Sequence, residues 1–259
     1  MRTFAIVNRK GGVGKTTTAV NLAYVLATSC RKRVLLIDAD GQGNATSILL
    51  PSREYGGLGA LIRGYAMCYA EVTEHTDVPG LDVLPASDDL WAVDLEAVTM
   101  DSRRSFRAIQ DLRDAVEEDN AYDILVIDCP PNLSTACVSA ILASDSVIIP
   151  VLSDVCSTVG VADLVEQIDG LRDMNPNLRV SGVLFNQWHR APVVDDAMTT
   201  LREECPVPIF DTVIRRTDKV PESSWAGQAV QAWSPWCSAA RDYRAWVAEL
   251  LAKEGIPCE

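Results

Sequence analysis

Histidine is almost missing from this 259-residue chain: His75 and His189 are its only two, in unrelated contexts. Eight cysteines are present but scattered, at positions 30, 68, 129, 137, 156, 205, 237 and 258, with no C-x-x-C pair among them. A zinc site of the usual spacing is therefore excluded. A chain of this length needs no disulfide framework, so the thiols are expected to stay reduced and pack as small hydrophobes. No run approaches the ~18 apolar residues of a membrane span. The opening Met1-Arg2-Thr3-Phe4-Ala5-Ile6-Val7-Asn8 turns polar too soon for a signal peptide, and the expected compartment is the cytoplasm. Basic charge is scarce as well: 23 Lys and Arg stand against 36 Asp and Glu, a net charge of −13. That balance argues against a protein that coats nucleic acid over its whole surface, yet leaves room for a local basic patch.

What is present is a rhythm of short apolar runs separated by longer amphipathic stretches. The runs cover residues 4–7, 34–37, 81–84, 124–127, 147–151, 180–185 and 209–214. Several are apolar throughout rather than alternating, as strands covered on both faces should be. Helical periodicity fills the intervals, for instance Thr16 to Ala27, Asp88 to Val98 and Val159 to Leu171. Strand–helix alternation predicts a mostly parallel sheet with helices on both faces. No linker or repeat divides the chain, so residues 1–259 are expected to form a single α/β domain.

Between the first strand and the first helix lies Asn8-Arg9-Lys10-Gly11-Gly12-Val13-Gly14-Lys15-Thr16-Thr17. A strict P-loop has glycine where this chain has Arg9; the remainder fits. Gly11, Gly12 and Gly14 let backbone N–H groups, Val13 among them, turn inward towards phosphate oxygens. The helix that follows adds its N-terminal dipole. Lys15 is expected to reach the β- and γ-phosphates, and the Thr16 hydroxyl to take a place on Mg²⁺. The fold that carries such a loop is the P-loop NTPase fold, and its cofactors are a nucleoside triphosphate and Mg²⁺.

Lys10 is an additional lysine close to that loop. The segment from Lys10 to Ala23 resembles the ParA/MinD family of deviant Walker ATPases. The resemblance continues in Val34-Leu-Leu-Ile-Asp38-Ala-Asp40-Gly-Gln42-Gly-Asn44-Ala-Thr46 and in Tyr122-Asp123-Ile-Leu-Val-Ile-Asp128-Cys-Pro130-Pro131, and more faintly at 84–86, 183–186 and 213–222. It implies that ATP and Mg²⁺ are the cofactors and that Lys10 crosses a homodimer interface to the partner's nucleotide. Asp40 would orient the attacking water, Asp38 would support the metal and switch region, and Asp128 would hold Mg²⁺ through water together with Thr16. Lys10, Lys15 and Asp40 form the implied catalytic set. Nucleotide contacts would run from Lys10 through Thr17, with Asn186, Arg215 and Arg216 near the base. Two departures stand out. Gly41 replaces a family proline, and Arg215-Arg216-Thr217 replaces the family's Pro-Arg-Asn beside the adenine.

Within the family the motifs look more like the ParA (Soj-type) branch. The first strand starts at the extreme N-terminus, so no preceding helix-turn-helix domain is expected. The resemblance implies an ATP-dependent dimer that binds nonspecific DNA on the nucleoid, with Arg190, Arg216 and Lys219 near the contacts. It also implies slow intrinsic turnover stimulated by a ParB-like basic partner, and a cargo of plasmid, chromosome or protein assembly. A MinD-like membrane reading needs a basic amphipathic C-terminal helix. Here the stripe Trp236, Ala240, Tyr243, Val247, Leu250 and Leu251 carries charges of mixed sign beside it and is expected to dock on the core, so no stable membrane insertion is expected. Iron–sulfur relatives share the phosphate site, and Cys129 and Cys137 lie near the switch region. Those relatives' Gly-rich cysteine loops have no counterpart here.

Overall fold

The computed structural model describes residues 1–50, 56–87, 90, 102–152 and 156–258. Its strands are β1 (Arg2–Ile6), β2 (Val34–Asp38), β3 (Glu74–His75), β4 (Leu81–Leu84), β5 (Ile124–Asp128), β6 (Ser146–Leu152) and β7 (Arg179–Asn186). They form one sheet in the order β3-β4-β2-β5-β1-β6-β7. Every pairing is parallel except the short β3–β4 edge. The helices are α1 (Lys15–Thr28), α2 (Asn44–Leu49), α3 (Gly57–Ile62), α4 (Ser102–Glu118), α5 (Thr135–Leu142), α6 (Cys156–Gly170), α7 (Pro192–Glu204), α8 (Lys219–Trp225), α9 (Val230–Trp233) and α10 (Ser238–Glu254). The helix expected over Asp88 to Val98 lies outside the described residues, apart from Leu90.

Apolar strands lead to two cores, one on each face. Ala5, Leu35, Ile37, Leu125 and Ile127 point to one side, where Ile109 and Leu112 of α4, Ile141 of α5 and Leu164 of α6 cover them. Their neighbours Phe4, Ile6, Leu36 and Val126 point to the other, where Leu22 and Leu26 of α1 meet Trp246 and Leu250 of α10. The C-terminal stripe is therefore occupied by the protein's own core. Trp236 departs from the expectation: it precedes α10 and is largely exposed. Among the described residues no helix is long and apolar enough to cross a membrane.

The run at 209–214 is not a strand. It lies beside β7 and joins it through the isolated bridge Val183–Ile209, with a second bridge between Trp188 and Arg215 just beyond. Phe210 and Ile214 donate their N–H groups to Val183 and Phe185. Between them, the N–H groups of Asp211 and Thr212 turn to the Glu249 carboxylate of α10, at 2.8 and 3.0 Å. A side chain has taken the donors a continuous ladder would need.

The expectation of uniformly reduced thiols is also corrected. Cys30, just past the end of α1, is disulfide-bonded to Cys258 in the tail after α10. Gly255 ends α10 in the left-handed region (φ 66°), and Ile256 packs on the α1/α10 core, which turns the tail back towards Cys30.

Candidate functional site

Parallel strands direct their carboxyl ends to one edge of the sheet, where ligands of such folds bind. At this edge β1 and β2 flank β5, and register pairs Asp128 with both Ile6 and Asp38. The loop after β1 is thus delivered beside two strand-end carboxylates.

Residues 8–14 fold into a tight loop that requires glycine at two positions. Gly12 (φ 75°) and Gly14 (φ 89°) occupy the left-handed region. A Cβ on Gly14 would also come within 2.5 Å of Asn186 Nδ2. Asn8 braces the loop by donating to the Pro150 carbonyl at 2.7 Å and accepting from the Lys10 N–H at 2.9 Å. From β7, Asn186 donates to the Val13 carbonyl and the Thr18 hydroxyl, both at 3.1 Å, and Gln187 donates to the Gly12 carbonyl at 3.3 Å. Asn186 itself accepts from the buried Tyr243 hydroxyl of α10 at 3.5 Å. Lys10, Gly11 and Gly12 are exposed, Val13 and Lys15 are buried, and Gly14, Thr16 and Thr17 lie half-buried at the start of α1.

Lys15 folds over the loop and donates its ammonium to the Lys10 carbonyl at 3.1 Å. Burial holds its pKa below the usual lysine range, opposed by Asp128 and Asp40.

The three carboxylates are in different states. Asp38 is fully buried and saturated: its Oδ2 accepts from the Thr46 N–H at 2.8 Å and hydroxyl at 2.7 Å, and its Oδ1 from the Asp40 N–H at 3.2 Å. Burial nevertheless outweighs these donors and pushes its pKa up to about 6. It ties the end of β2 to α2. Asp40 accepts from the Gln42 N–H at 3.0 Å and lines a small cleft of about 340 Å³ with Pro130, Pro131 and Asn132. Asp128 is the exception, because among the described residues both of its buried oxygens lack a hydrogen-bond partner at bonding geometry. Burial first, then Asp38, pushes its pKa well above the carboxylate range, with Thr16 and Lys15 acting the other way. An orphaned buried carboxylate beside a threonine hydroxyl is the donor chemistry that suits Mg²⁺.

A cleft of about 690 Å³ runs from Gly14 and Thr17 past Asn186 to the loop 214–218 and α8, with Asn44, Ser47 and Ile48 of α2 on the facing side. Arg215 and Arg216 both line it, but Arg215 is held back: its guanidinium and N–H bind Asp242 of α10 at 2.6–3.2 Å. Arg190 and Arg216 are exposed, and Lys219 is paired with Glu222 at 2.7 Å. Sequence reasoning missed Tyr243, Asp242 and Thr46. The first two carried a signal: they are polar groups on or beside the apolar stripe of an amphipathic helix, and such groups need partners.

A family model described as an AAA domain matches residues 1–180. The chromosome partitioning protein ParA of Caulobacter vibrioides (strain NA1000 / CB15N) is 34% identical over 258 residues, covering 98% of this chain and 95% of that protein. Among solved structures, apo McdA of Cyanthece superposes with a TM-score of 0.84 at 23% identity, covering 97% of this chain and 99% of that one. MinD of Pyrococcus horikoshii OT3, solved with Mg-ADP, gives 0.80 at 20% identity, covering 96% and 95%. The two structures share the fold of this chain.

Proposed function

As the chain belongs to the ParA/MinD family of P-loop ATPases, we propose that it is a ParA-type positioning ATPase that clasps ATP and Mg²⁺ in a homodimer. The observation that carries the reading is Asp128, a buried carboxylate whose oxygens find no partner at bonding geometry among the described residues, near Lys15, a buried ammonium that donates to the Lys10 carbonyl. Each lacks what a magnesium–triphosphate would bring. Phosphoryl transfer depends chiefly on positioning and charge neutralisation. Thr16 and Asp128 would hold the metal, which neutralises charge developing on the phosphates. The inward N–H groups of 11–17 and Lys15 grip the phosphates, while Asp38 fixes the segment that carries Asp40. Asp40 orients water. Lys10, exposed at the loop's rim, reaches the partner's nucleotide.

On this reading the dimer binds DNA nonspecifically through exposed residues such as Arg190 and Arg216, and carries a cargo over the nucleoid. A ParB-like partner with a basic segment accelerates slow hydrolysis, aided by the acidic surface. The test is light scattering with ADP, ATP and a non-hydrolysable analogue, followed by DNA binding of each form. An ATP-specific dimer that retains DNA only in the triphosphate state is expected. A dimer that ignores DNA and sediments with anionic vesicles would replace the reading with membrane positioning, and a permanent monomer would end both.

A further inference from the structure

We propose that Trp225 grips the base of the bound nucleotide, stacking its indole on the ring and setting a preference for purine over pyrimidine triphosphates. The assignment rests on the phosphate-site reading above and extends it to the far end of the same cleft.

The position of the indole is the first argument. Trp225 closes α8, its side chain is 95% exposed, and it nevertheless lines the cleft that begins at Gly14 and Thr17. Tryptophan is the side chain with most to gain from burial, and a wholly exposed indole leaves that gain unrealised. The wall around it is mixed: Ile48, Ile214, Val220 and Pro221 supply apolar surface, and Arg216, Thr217 and Asp218 supply polar groups. Apolar surface and one free π-face, with a few polar groups beside them, suit a planar heterocycle that carries its own donors and acceptors.

Of the other groups at this end that could hold a base, Arg215 and Tyr243 are committed elsewhere, while the exposed Arg216 lines the cleft beside Trp225. Arg215, whose guanidinium could stack, is locked in its contact with Asp242. Tyr243 is fully buried, and its hydroxyl is directed at Asn186. The exposed Trp233 and Trp236 do not line the cleft, and Trp233 donates to Glu222 at 3.2 Å. Among the described residues that line the cleft, Trp225 is left as the aromatic face open to a ligand. Stacking tolerates any base, but its strength rises with ring overlap, so a two-ring purine gains most.

The experiment is calorimetric titration of the full chain with MgATP, MgCTP and magnesium tripolyphosphate, using wild type, Trp225→Ala and Trp225→Phe. Wild type is expected to favour ATP over CTP. Trp225→Ala should bind ATP about tenfold more weakly, the worth of one base–aromatic stack. Its tripolyphosphate affinity should stay within about twofold of wild type, since that ligand carries no base. Trp225→Phe should recover most of the loss and abolish the part of the emission that ATP quenches in wild type. An unchanged ATP-to-CTP ratio in Trp225→Ala overturns the assignment. So does an equal loss of all three ligands, which would make Trp225 structural. Wild type that binds tripolyphosphate but does not separate ATP from CTP sinks this inference alone; failure to bind any of the three sinks the phosphate-site reading with it.

Discussion

At the scale of single residues the site is organised by charge that its own chain does not satisfy. Asp128→Asn removes a buried charge and keeps the shape, so the ligand-free protein should become more stable, by about 1–3 kcal/mol. The same change should abolish the extra stabilisation that MgATP brings. Thermal melts with and without MgATP would read both signs, and a variant melting lower in both conditions would assign Asp128 a structural role. Lys15→Ala should eliminate ATP binding, whereas Lys10→Ala should leave monomer binding largely intact and remove ATP-dependent dimerisation. Normal dimers of Lys10→Ala in light scattering would end the assignment across the interface. Asp40→Ala should bind ATP and dimerise yet turn over on the order of 10²-fold more slowly, as expected for a positioning group. Normal turnover with weakened Mg²⁺ binding would make Asp40 a metal ligand instead. Most of these residues were legible in the sequence because the phosphate loop and both carboxylate motifs are contiguous. The partners that fix them were not. Thr46 lies eight residues from the Asp38 it saturates, and Tyr243 lies 57 from Asn186. Only the fold brings the second pair together.

At the scale of elements, local pattern identified the parallel strands and missed what depends on competition for hydrogen bonds. The run at 209–214 has the composition of a strand, and it fails as one because Glu249 takes the N–H groups of Asp211 and Thr212. The edge pairing of Glu74 and His75 with β4 is too short to leave a periodic signal. The Cys30–Cys258 bond was hidden for a related reason: its halves are 228 residues apart, and nothing in the spacing connects them. The bond joins the end of α1, whose first residues include Lys15 and Thr16, to the tail of α10, whose Asp242 and Tyr243 hold the base-side loop and Asn186. Reducing it should lower stability by about 2–4 kcal/mol, since it closes a very long loop. The corresponding fall in Tm is roughly 4–16 °C for a chain of this size. Melts with and without a dithiol reductant, alongside Cys258→Ser, would test this. Cys258→Ser should match the reduced protein and no longer respond to the reductant. Identical melts for oxidised and reduced wild type would show that the bond adds nothing to stability.

At the scale of the whole molecule, the net charge of −13 was legible and its distribution was not. Two basic side chains of the segment after β7 are neutralised locally: Arg215 by Asp242 and Lys219 by Glu222. Arg190 and Arg216 of the same segment remain exposed. A monomer presenting each of these cations once against an acidic background should hold DNA poorly. A dimer presents each of them twice, and the salt dependence scales with the number of phosphates neutralised. DNA binding is therefore expected to appear with the ATP-trapped Asp40→Ala dimer, to be absent with ADP, and to fade steeply as salt rises. Arg190→Glu and Arg216→Glu should each weaken binding on every DNA sequence alike and flatten the salt dependence, while ATP-dependent dimerisation persists. Lys219→Ala should do less than either, because Glu222 already shares that ammonium. Filter binding across a salt series would separate these outcomes. If Lys219→Ala proves the most damaging of the three, the ion pair with Glu222 must open on DNA. Equal, salt-insensitive losses in all three would instead place the DNA contact elsewhere on the surface.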